Sequence, residues 1–195
     1  MRLHVGIAGI GCSLLLVACA PVADDEDLEP DVDLENPEMY DSVADANNHI
    51  QNILEMNVSF PESDQLDVAY ISSAEGRGVV EAGYSETVDG ESYSDEEIEE
   101  LEETSGVQYI YGVYDTTPDI RVEVGPEIAD EGNDVSEEEI AGTTVFIEEN
   151  EQEGGDPYVV HSFEVGDYDY VLHYVLTDSL TEDNAVDFTA SFIES

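Results

Sequence analysis

Histidine and serine are the usual sources of hydrolytic and metal chemistry, and their spacing in this chain favours neither. A serine hydrolase needs a histidine and an acid near the serine, often presented by a G-x-S-x-G turn, and the chain has no such motif. His49, His161 and His173 lie apart in one predicted helix and two predicted strands, without the H-x-H or H-x-x-x-H spacing of a metal site. We therefore interpret them as structural residues and predict no metal and no cofactor.

Carboxylates are so abundant that a pair of them identifies no active site, because the chain has 50 Asp and Glu residues. A glycosidase needs two acids about 5 to 10 Å apart in a cleft, and spacing along the chain cannot select them. Neither Asp89 nor Asp130 begins a loop with the ligand spacing of a calcium-binding EF-hand. We predict diffuse cation binding, no defined calcium site and no catalytic residue.

Tyrosine is the remaining residue type that could build a site, with 11 copies in the chain. Two predicted strands carry tyrosines at alternate positions, which would place them on one face of each strand: Tyr109 and Tyr111 on the first, and Tyr168, Tyr170 and Tyr174 on the second. Such stripes most often pack in a core, and they can also line a groove for an apolar ligand or a sugar. The groove candidates are Tyr109, Tyr111, Tyr170 and Tyr174.

The overall charge excludes several classes of partner. The chain has 3 Arg, no Lys and a formal net charge of −47. Arg2, Arg77 and Arg121 cannot form a patch that neutralises a phosphate backbone, so nucleic acid is excluded as a partner. The expected partners are diffuse cations, a basic protein or a small apolar ligand.

The same charge predicts a salty or alkaline environment. Charges of one sign repel one another and oppose compaction, over a Debye length of about 8 Å at moderate ionic strength. At about 1 M salt this length falls to about 3 Å, so the repulsion largely disappears. Because 41% of the residues are nonetheless hydrophobic, we expect a folded acidic domain and not a disordered tail.

The N-terminus predicts export. An apolar run from Leu3 to Ala23 follows Arg2 and precedes the first acid, Asp24. The end of this run resembles the lipobox of bacterial lipoproteins, in which a cysteine is diacylated and becomes the new N-terminus: Leu16, Val17, Ala18 and Cys19. The resemblance implies a signal peptide over 1–18, lipidation at Cys19 and attachment to the extracytoplasmic face of the cell membrane. The alternatives are an ordinary cleaved secretory peptide and an uncleaved helix spanning about 30 Å of hydrocarbon.

The segment after the lipobox differs from the rest of the chain. Residues 19–36 are acid-rich with few large apolar side chains, which predicts a flexible tether. Residues 37–195 then form a single domain, with an acidic insertion over 87–105 that contains a short exposed helix. Both cysteines, Cys12 and Cys19, precede this domain, so disulfides, zinc–thiolate sites and cysteine nucleophiles are excluded from it.

Periodicity predicts an α+β fold. Asn36 and Pro37 resemble a helix start, and apolar spacing predicts a helix over 37–56. Alternation then predicts an antiparallel, curved sheet of six or seven strands, and Thr181 caps a C-terminal amphipathic helix. The clearest unit is a hairpin around Gly166-Asp167, a two-residue turn that pairs Val165 with Tyr168 and puts one strongly apolar face on the sheet.

Four different short motifs are spread along the domain, at 59–62, 79–84, 141–147 and 166–172, and the last is followed by a helix ending Ser191-Phe192-Ile193. Together they resemble an uncharacterised extracytoplasmic domain of Gram-positive lipoproteins and of the outer regions of membrane-bound anti-sigma factors, over roughly residues 50–195. More loosely, the chain is similar to half-barrel lipoprotein carriers, whose curved sheet holds acyl chains. The resemblance implies no catalytic residue, and the acidic insertion and scarcity of basic residues depart from the family pattern.

The sequence therefore predicts a lipid-anchored extracytoplasmic protein that is not an enzyme and that serves as a binding or sensing module. The first alternative is a carrier or chaperone that shelters an apolar ligand in a curved sheet. A carboxylate-dependent hydrolase is the second, and it requires two acids in a cleft with at least one pKa raised by burial.

Overall fold

The computed structural model describes residues 39–63, 65–74, 77–88, 92–114, 116–126, 135–150 and 156–195. All of these residues belong to the compact unit Glu35–Ser195. The predicted signal peptide, the lipobox, Cys19 and the tether lie outside them. None of the helices in the described ranges combines the length and the apolar character needed to cross a bilayer.

The described residues form one open antiparallel sheet of eight strands with three helices, an α+β fold. The strands are β1 (Asp67–Ala74), β2 (Val79–Ser85), β3 (Val107–Gly112), β4 (Ile120–Gly125), β5 (Val135–Ile140), β6 (Thr143–Asn150), β7 (Tyr158–Val165) and β8 (Tyr168–Val175). Their spatial order is β3-β1-β2-β4-β8-β7-β6-β5, so β3 and β5 are the two edges.

The predicted number of six or seven strands is too low because the sequence analysis missed β5. This strand reads VSEEEI, and all its residues except Ile140 are exposed. A strand that pairs only with β6 and buries almost nothing shows no alternation of apolar and polar residues. Its glutamates also discourage pairing with the edge of another sheet.

The N-terminal helix is shorter than predicted. The helix α1 spans Val43–Asn52, and its N-cap is Ser42, whose Oγ accepts a hydrogen bond from the Asp45 N–H at 3.1 Å. Upstream, Tyr40 forms a parallel bridge with Tyr111 of β3, so its backbone is extended. The predicted start at Asn36 and Pro37 lies outside the described residues.

The other two helices agree with the sequence pattern. The acidic insertion contains α2 (Asp95–Ser105), which ends at Gly106 with a φ of 68°, a left-handed conformation that favours glycine. The C-terminal helix α3 spans Glu182–Ile193, and its N-cap is Thr181, as predicted.

One face of the sheet carries the core. Side chains from α1, from α3 and from residues 56–60 pack with the inward residues of the strands into a single apolar cluster. Phe192 of α3 is central, because its ring centroid lies within 6.4 Å of four other aromatic rings: Phe60, Tyr84, Tyr170 and Phe188. Helix burial of this kind contributes more to stability than helix propensity does.

The predicted hairpin is confirmed in detail. Gly166 has a φ of 65°, which places the required positive value at the first turn position. The turn sets the predicted pairs of β7 and β8: Val165 with Tyr168, Phe163 with Tyr170, His161 with Leu172, and Val159 with Tyr174. This face packs into the core, while Glu164 and Asp169 pair on the opposite face.

Candidate functional site

Two of the four predicted groove tyrosines lie in the core. Tyr170 stacks on Phe163 with ring centroids 5.1 Å apart. Tyr174 is completely buried, and its hydroxyl lies 2.7 Å from Thr189 Oγ1 of α3. On the core face of the sheet, side chains of α3 pack against both tyrosines and fill the space where the groove was predicted. Tyr174 also belongs to the lining of a cleft on the opposite face, described below.

Tyr109 and Tyr111 do not share a strand face, contrary to the alternation pattern. Tyr111 pairs with Ile71 of β1, whereas Tyr109 pairs with the next residue, Ser72. The extra residue in β3 is a β-bulge, which turns Tyr109 to the face opposite Tyr111. Tyr111 accordingly packs against the core, and Tyr109 meets Tyr70 edge-to-face at 6.2 Å between ring centroids.

Both tyrosines nevertheless line one groove, which lies between α2, β3 and residues 39–41. We call it the acidic groove, and its volume is about 1070 Å³. Its aromatic side chains are Tyr40, Tyr109, Tyr111 and Tyr114, and its carboxylates are Asp41, Asp95, Glu96, Glu99 and Glu102. None of the described residues that line it carries a positive charge.

Backbone hydrogen bonds along the edge of the sheet position the walls of the acidic groove. The Tyr40 N–H donates to the Ile110 carbonyl at 2.9 Å, which attaches the segment before α1 to β3. The Tyr109 N–H donates to Glu102 Oε1 at 2.8 Å, which attaches α2 to the same strand. Ile98 is the one residue of α2 that is buried.

Two of the groove phenols, those of Tyr109 and Tyr111, stay protonated at neutral pH. Burial raises the pKa of Tyr109, and the carboxylates of Glu81 and Glu102 raise it further. Burial also raises the pKa of Tyr111. Neutral phenol faces beside carboxylates favour a ligand that carries positive charge, because aromatic faces and carboxylates both attract cations.

A second concave region lies on the sheet face opposite the core. Cross-strand neighbours Tyr70, Gly83, Arg121 and His173 form one row over β1, β2, β4 and β8. They lie at a cleft of about 540 Å³, which we call the open-face cleft; its described lining includes Tyr70, Glu81, Arg121, Asp156, Tyr158 and His173.

Gly83 allows the Tyr70 ring to lie against the backbone of β2. A Cβ atom at position 83 would overlap the Tyr70 ring, so only glycine leaves room for it. The Tyr70 hydroxyl donates to Glu81 Oε1 in this position. The ring and the carboxylate therefore have one defined arrangement at the base of the cleft.

Burial dominates the electrostatics of the open-face cleft. It raises the pKa of the Glu81 carboxyl, while the Tyr70 hydrogen bond and the Arg121 charge act in the opposite direction. Burial also lowers the pKa of His173, and Arg121 lowers it further, so this imidazole is neutral at neutral pH. Arg121 Nη2 lies 3.0 Å from Glu123 Oε1.

These groups meet the requirement stated for the hydrolase alternative, because Glu81 and Asp156 line the same cleft and burial raises the pKa of Glu81. We do not adopt that alternative. The Tyr70 hydroxyl already occupies Glu81 Oε1, and this hydrogen bond opposes the upward pKa shift that a general acid requires.

This cleft was not predicted, although alternation over 120–124 predicts a strand in which Arg121 and Glu123 point away from Ile120, Val122 and Val124. The available signal was Arg121 itself, because it is the one arginine of the chain that falls within a predicted strand. The neighbours of Arg121 in the cleft come from three other strands. Alternation within one strand does not reveal which strands pair with one another.

The histidines are placed separately. His49 Nδ1 lies 3.1 Å from the Tyr40 hydroxyl, His161 Nδ1 lies 2.7 Å from Thr189 Oγ1, and His173 lines the open-face cleft. Within the described part of the chain, no three His, Asp or Glu side chains are grouped as metal ligands.

Comparison of the chain with protein-family models, with curated proteins and with solved structures finds no match. The resemblance to the extracytoplasmic lipoprotein domain therefore stays a prediction. The function has to be argued from the geometry of the two concave regions and from the sequence of the N-terminus.

Proposed function

We propose that this chain is a lipid-anchored extracytoplasmic binding module, without catalytic activity, whose acidic groove binds a basic segment of a partner protein. The observation that carries the proposal is the lining of this groove, where four tyrosines and five carboxylates surround one volume of about 1070 Å³. A groove of this size accommodates several side chains of a peptide.

Lysine and arginine side chains match this lining in two ways. Their charged ends pair with carboxylates, and arginine does so through two hydrogen bonds. Their apolar stems and cationic groups also pack on aromatic faces, which Tyr40, Tyr109, Tyr111 and Tyr114 supply. A neutral or acidic segment would leave the carboxylates without compensation.

The tyrosines of the acidic groove contribute most to its selectivity in a salty environment. A net charge of −47 attracts cations over long distances at low salt. At about 1 M salt the Debye length falls to about 3 Å, so only groups in direct contact distinguish one cation from another. Aromatic packing within the groove would then supply the selectivity that long-range attraction loses.

The carrier alternative has less support. It needs an apolar cavity inside the curve of the sheet, next to the predicted tyrosines. Tyr170 and Tyr174 instead pack against α3, and Phe188 and Phe192 cover their face of the sheet. The tyrosines that do line a groove share it with carboxylates, which disfavour an acyl chain.

The groove proposal is tested with a synthetic arginine-rich peptide and its glutamine-substituted counterpart. In about 1 M NaCl, direct contacts dominate over long-range attraction. Under these conditions we expect calorimetry to detect binding of the arginine-rich peptide but not of its glutamine-substituted counterpart. Tyr114→Leu and Glu99→Gln should each weaken binding about tenfold, which corresponds to about 1.4 kcal/mol.

The matched controls are Tyr168→Leu and Glu138→Gln, which make the same changes on the hairpin and on β5, away from the groove. They should leave the affinity unchanged. Equal losses from control and groove variants would show that the total acidity of the chain binds the peptide, and the groove assignment would then be wrong.

Membrane attachment is tested by replacing each cysteine. Cys19→Ser should release the protein from the membrane fraction, because it removes the thiol that the lipobox resemblance assigns to lipidation. Cys12→Ser is the matched control and should stay with the membrane. Retention of both variants would indicate an uncleaved N-terminal helix instead of a lipid.

A further inference from the structure

The open-face cleft has no role in the proposed function, and its chemistry differs from that of the acidic groove. It combines three tyrosines, Tyr70, Tyr158 and the buried Tyr174, with one guanidinium, one imidazole and two carboxylates. Thr117, Pro118 and Val175 also line it. Its volume of about 540 Å³ lies within the usual range for a site that binds a small molecule.

The charges of the cleft disfavour an ionic ligand. An anion would approach Arg121 but would also face Glu81, Asp156 and a chain of net charge −47. A cation would approach the carboxylates but would be repelled by Arg121. The acidic groove offers a cation carboxylates without a basic side chain among its described lining residues. A neutral ligand avoids both conflicts.

The side chains of the open-face cleft include both hydrogen-bond donors and hydrogen-bond acceptors. Arg121 uses Nη2 for Glu123, and a guanidinium has five N–H donors, so it can also donate to a ligand. Tyr70 donates to Oε1 of Glu81, which leaves Oε2 to accept from a ligand hydroxyl. Neighbouring donors and acceptors of this kind match the hydroxyl groups of a polyhydroxylated molecule, each of which both donates and accepts.

The aromatic side chains provide an apolar surface beside these polar groups. Tyr70 is fixed by Gly83 below it, by Glu81 at its hydroxyl and by the edge-to-face contact with Tyr109. Tyr158 lines the cleft from β7 and is half-buried. A fixed aromatic ring binds the C–H face of a sugar ring at little cost in conformational entropy.

We propose that the open-face cleft is a binding site for a neutral saccharide. Arg121, Glu81 and Asp156 bind its hydroxyl groups, and Tyr70 and Tyr158 supply the aromatic surface on which a sugar ring packs. The inference is independent of the basic partner proposed for the acidic groove, because the two regions have different linings.

The experiment uses the domain in about 1 M NaCl, a concentration that screens its charge, with maltose, cellobiose and N,N′-diacetylchitobiose as neutral probes. Saturation-transfer NMR should show binding of at least one probe, and calorimetry should give its affinity. Tyr158→Ala and Arg121→Gln should each weaken that affinity about tenfold or more. Tyr168→Ala and Arg77→Gln are the matched controls and should leave it unchanged.

Three results would overturn the inference. The first is no saturation transfer from the protein to any probe at about 10 mM, a concentration that detects even weak sites. The others are equal effects of the cleft and control variants, and tighter binding of the charged sugars cellobiuronate or glucosamine than of their neutral counterparts. Melting curves establish that each variant is folded. If Arg121→Gln does not fold, the comparison of Tyr158→Ala with Tyr168→Ala decides the question.

Discussion

A chain of buried hydrogen bonds joins α3 to the central hairpin at the scale of single residues. Thr189 Oγ1 lies 2.7 Å from both His161 Nδ1 and the Tyr174 hydroxyl. All three groups are satisfied when Tyr174 donates to Thr189 and Thr189 donates to a neutral imidazole. Burial lowers the pKa of His161 from 6.5 to about 4, so the folded protein keeps this imidazole neutral over a wide pH range.

This pKa shift predicts that stability is lost in mild acid. Between pH 6.5 and about 4 the unfolded chain binds a proton at His161 that the folded chain does not, so the free energy of unfolding decreases as the pH falls. The full shift corresponds to about 3 kcal/mol. Urea unfolding in high salt at several pH values across this window measures the loss.

His161→Gln is the control for this prediction. It removes the titrating group and keeps a polar side chain near Thr189. The wild type should lose more stability than the variant over the same window, while carboxylate repulsion and the other histidines affect both proteins alike. Parallel curves for the two proteins would contradict the assignment to His161.

At the scale of elements, the attachment of α2 to the sheet edge depends on few contacts. Ile98 is buried, with 7% of the residue's surface exposed, and Glu102 accepts a hydrogen bond from the backbone N–H of Tyr109. We expect Ile98→Ser to detach α2 from β3 while the rest of the fold persists, because the main core does not include this side chain. Hydrogen exchange at the amides of β3 should become about tenfold faster or more.

Glu100→Ser is the matched substitution on the exposed side of α2 and should leave exchange in β3 unchanged. The Ile98→Ser variant should also lose affinity for the arginine-rich peptide, because one wall of the acidic groove has moved. Unchanged exchange in β3 would mean that Tyr40 and its neighbours protect this edge without α2.

At the scale of the whole molecule, the net charge of −47 opposes compaction unless salt screens it. The melting midpoint should therefore rise between about 0.05 M and 2 M NaCl, as the Debye length falls below the spacing of neighbouring charges. Far-UV circular dichroism should show increasing structure over the same range.

Sucrose at equal osmolality is the control, since it favours compact states without screening charge. A flat dependence of the midpoint on NaCl would contradict the prediction of a salt-adapted protein. A rise of the same size in sucrose would show that exclusion from the surface, and not screening, stabilises the domain.

Patterns within a short stretch of sequence predicted those elements whose structure is determined by that stretch alone. The β7–β8 register follows from one two-residue turn, and α3 follows from a cap at Thr181 and apolar residues at helical spacing. The strand β5 was missed because its residues are almost all exposed and its pairing with β6 supplies its structure. The bulge that separates Tyr109 from Tyr111 depends on the register with β1, which no pattern within β3 expresses.

The net charge and the cysteine positions can be stated without knowing the fold, because charge is a sum over residues and both cysteines precede the domain. From the sequence alone come the strong negative charge, the predicted export signal and the α+β class. Only the tertiary structure decided that Tyr170 and Tyr174 fill the core, that α2 and β3 form an acidic groove, and that Arg121 meets Tyr70 and Glu81 in a cleft. These outcomes depend on which strands become neighbours, and that is set by packing between residues far apart along the chain.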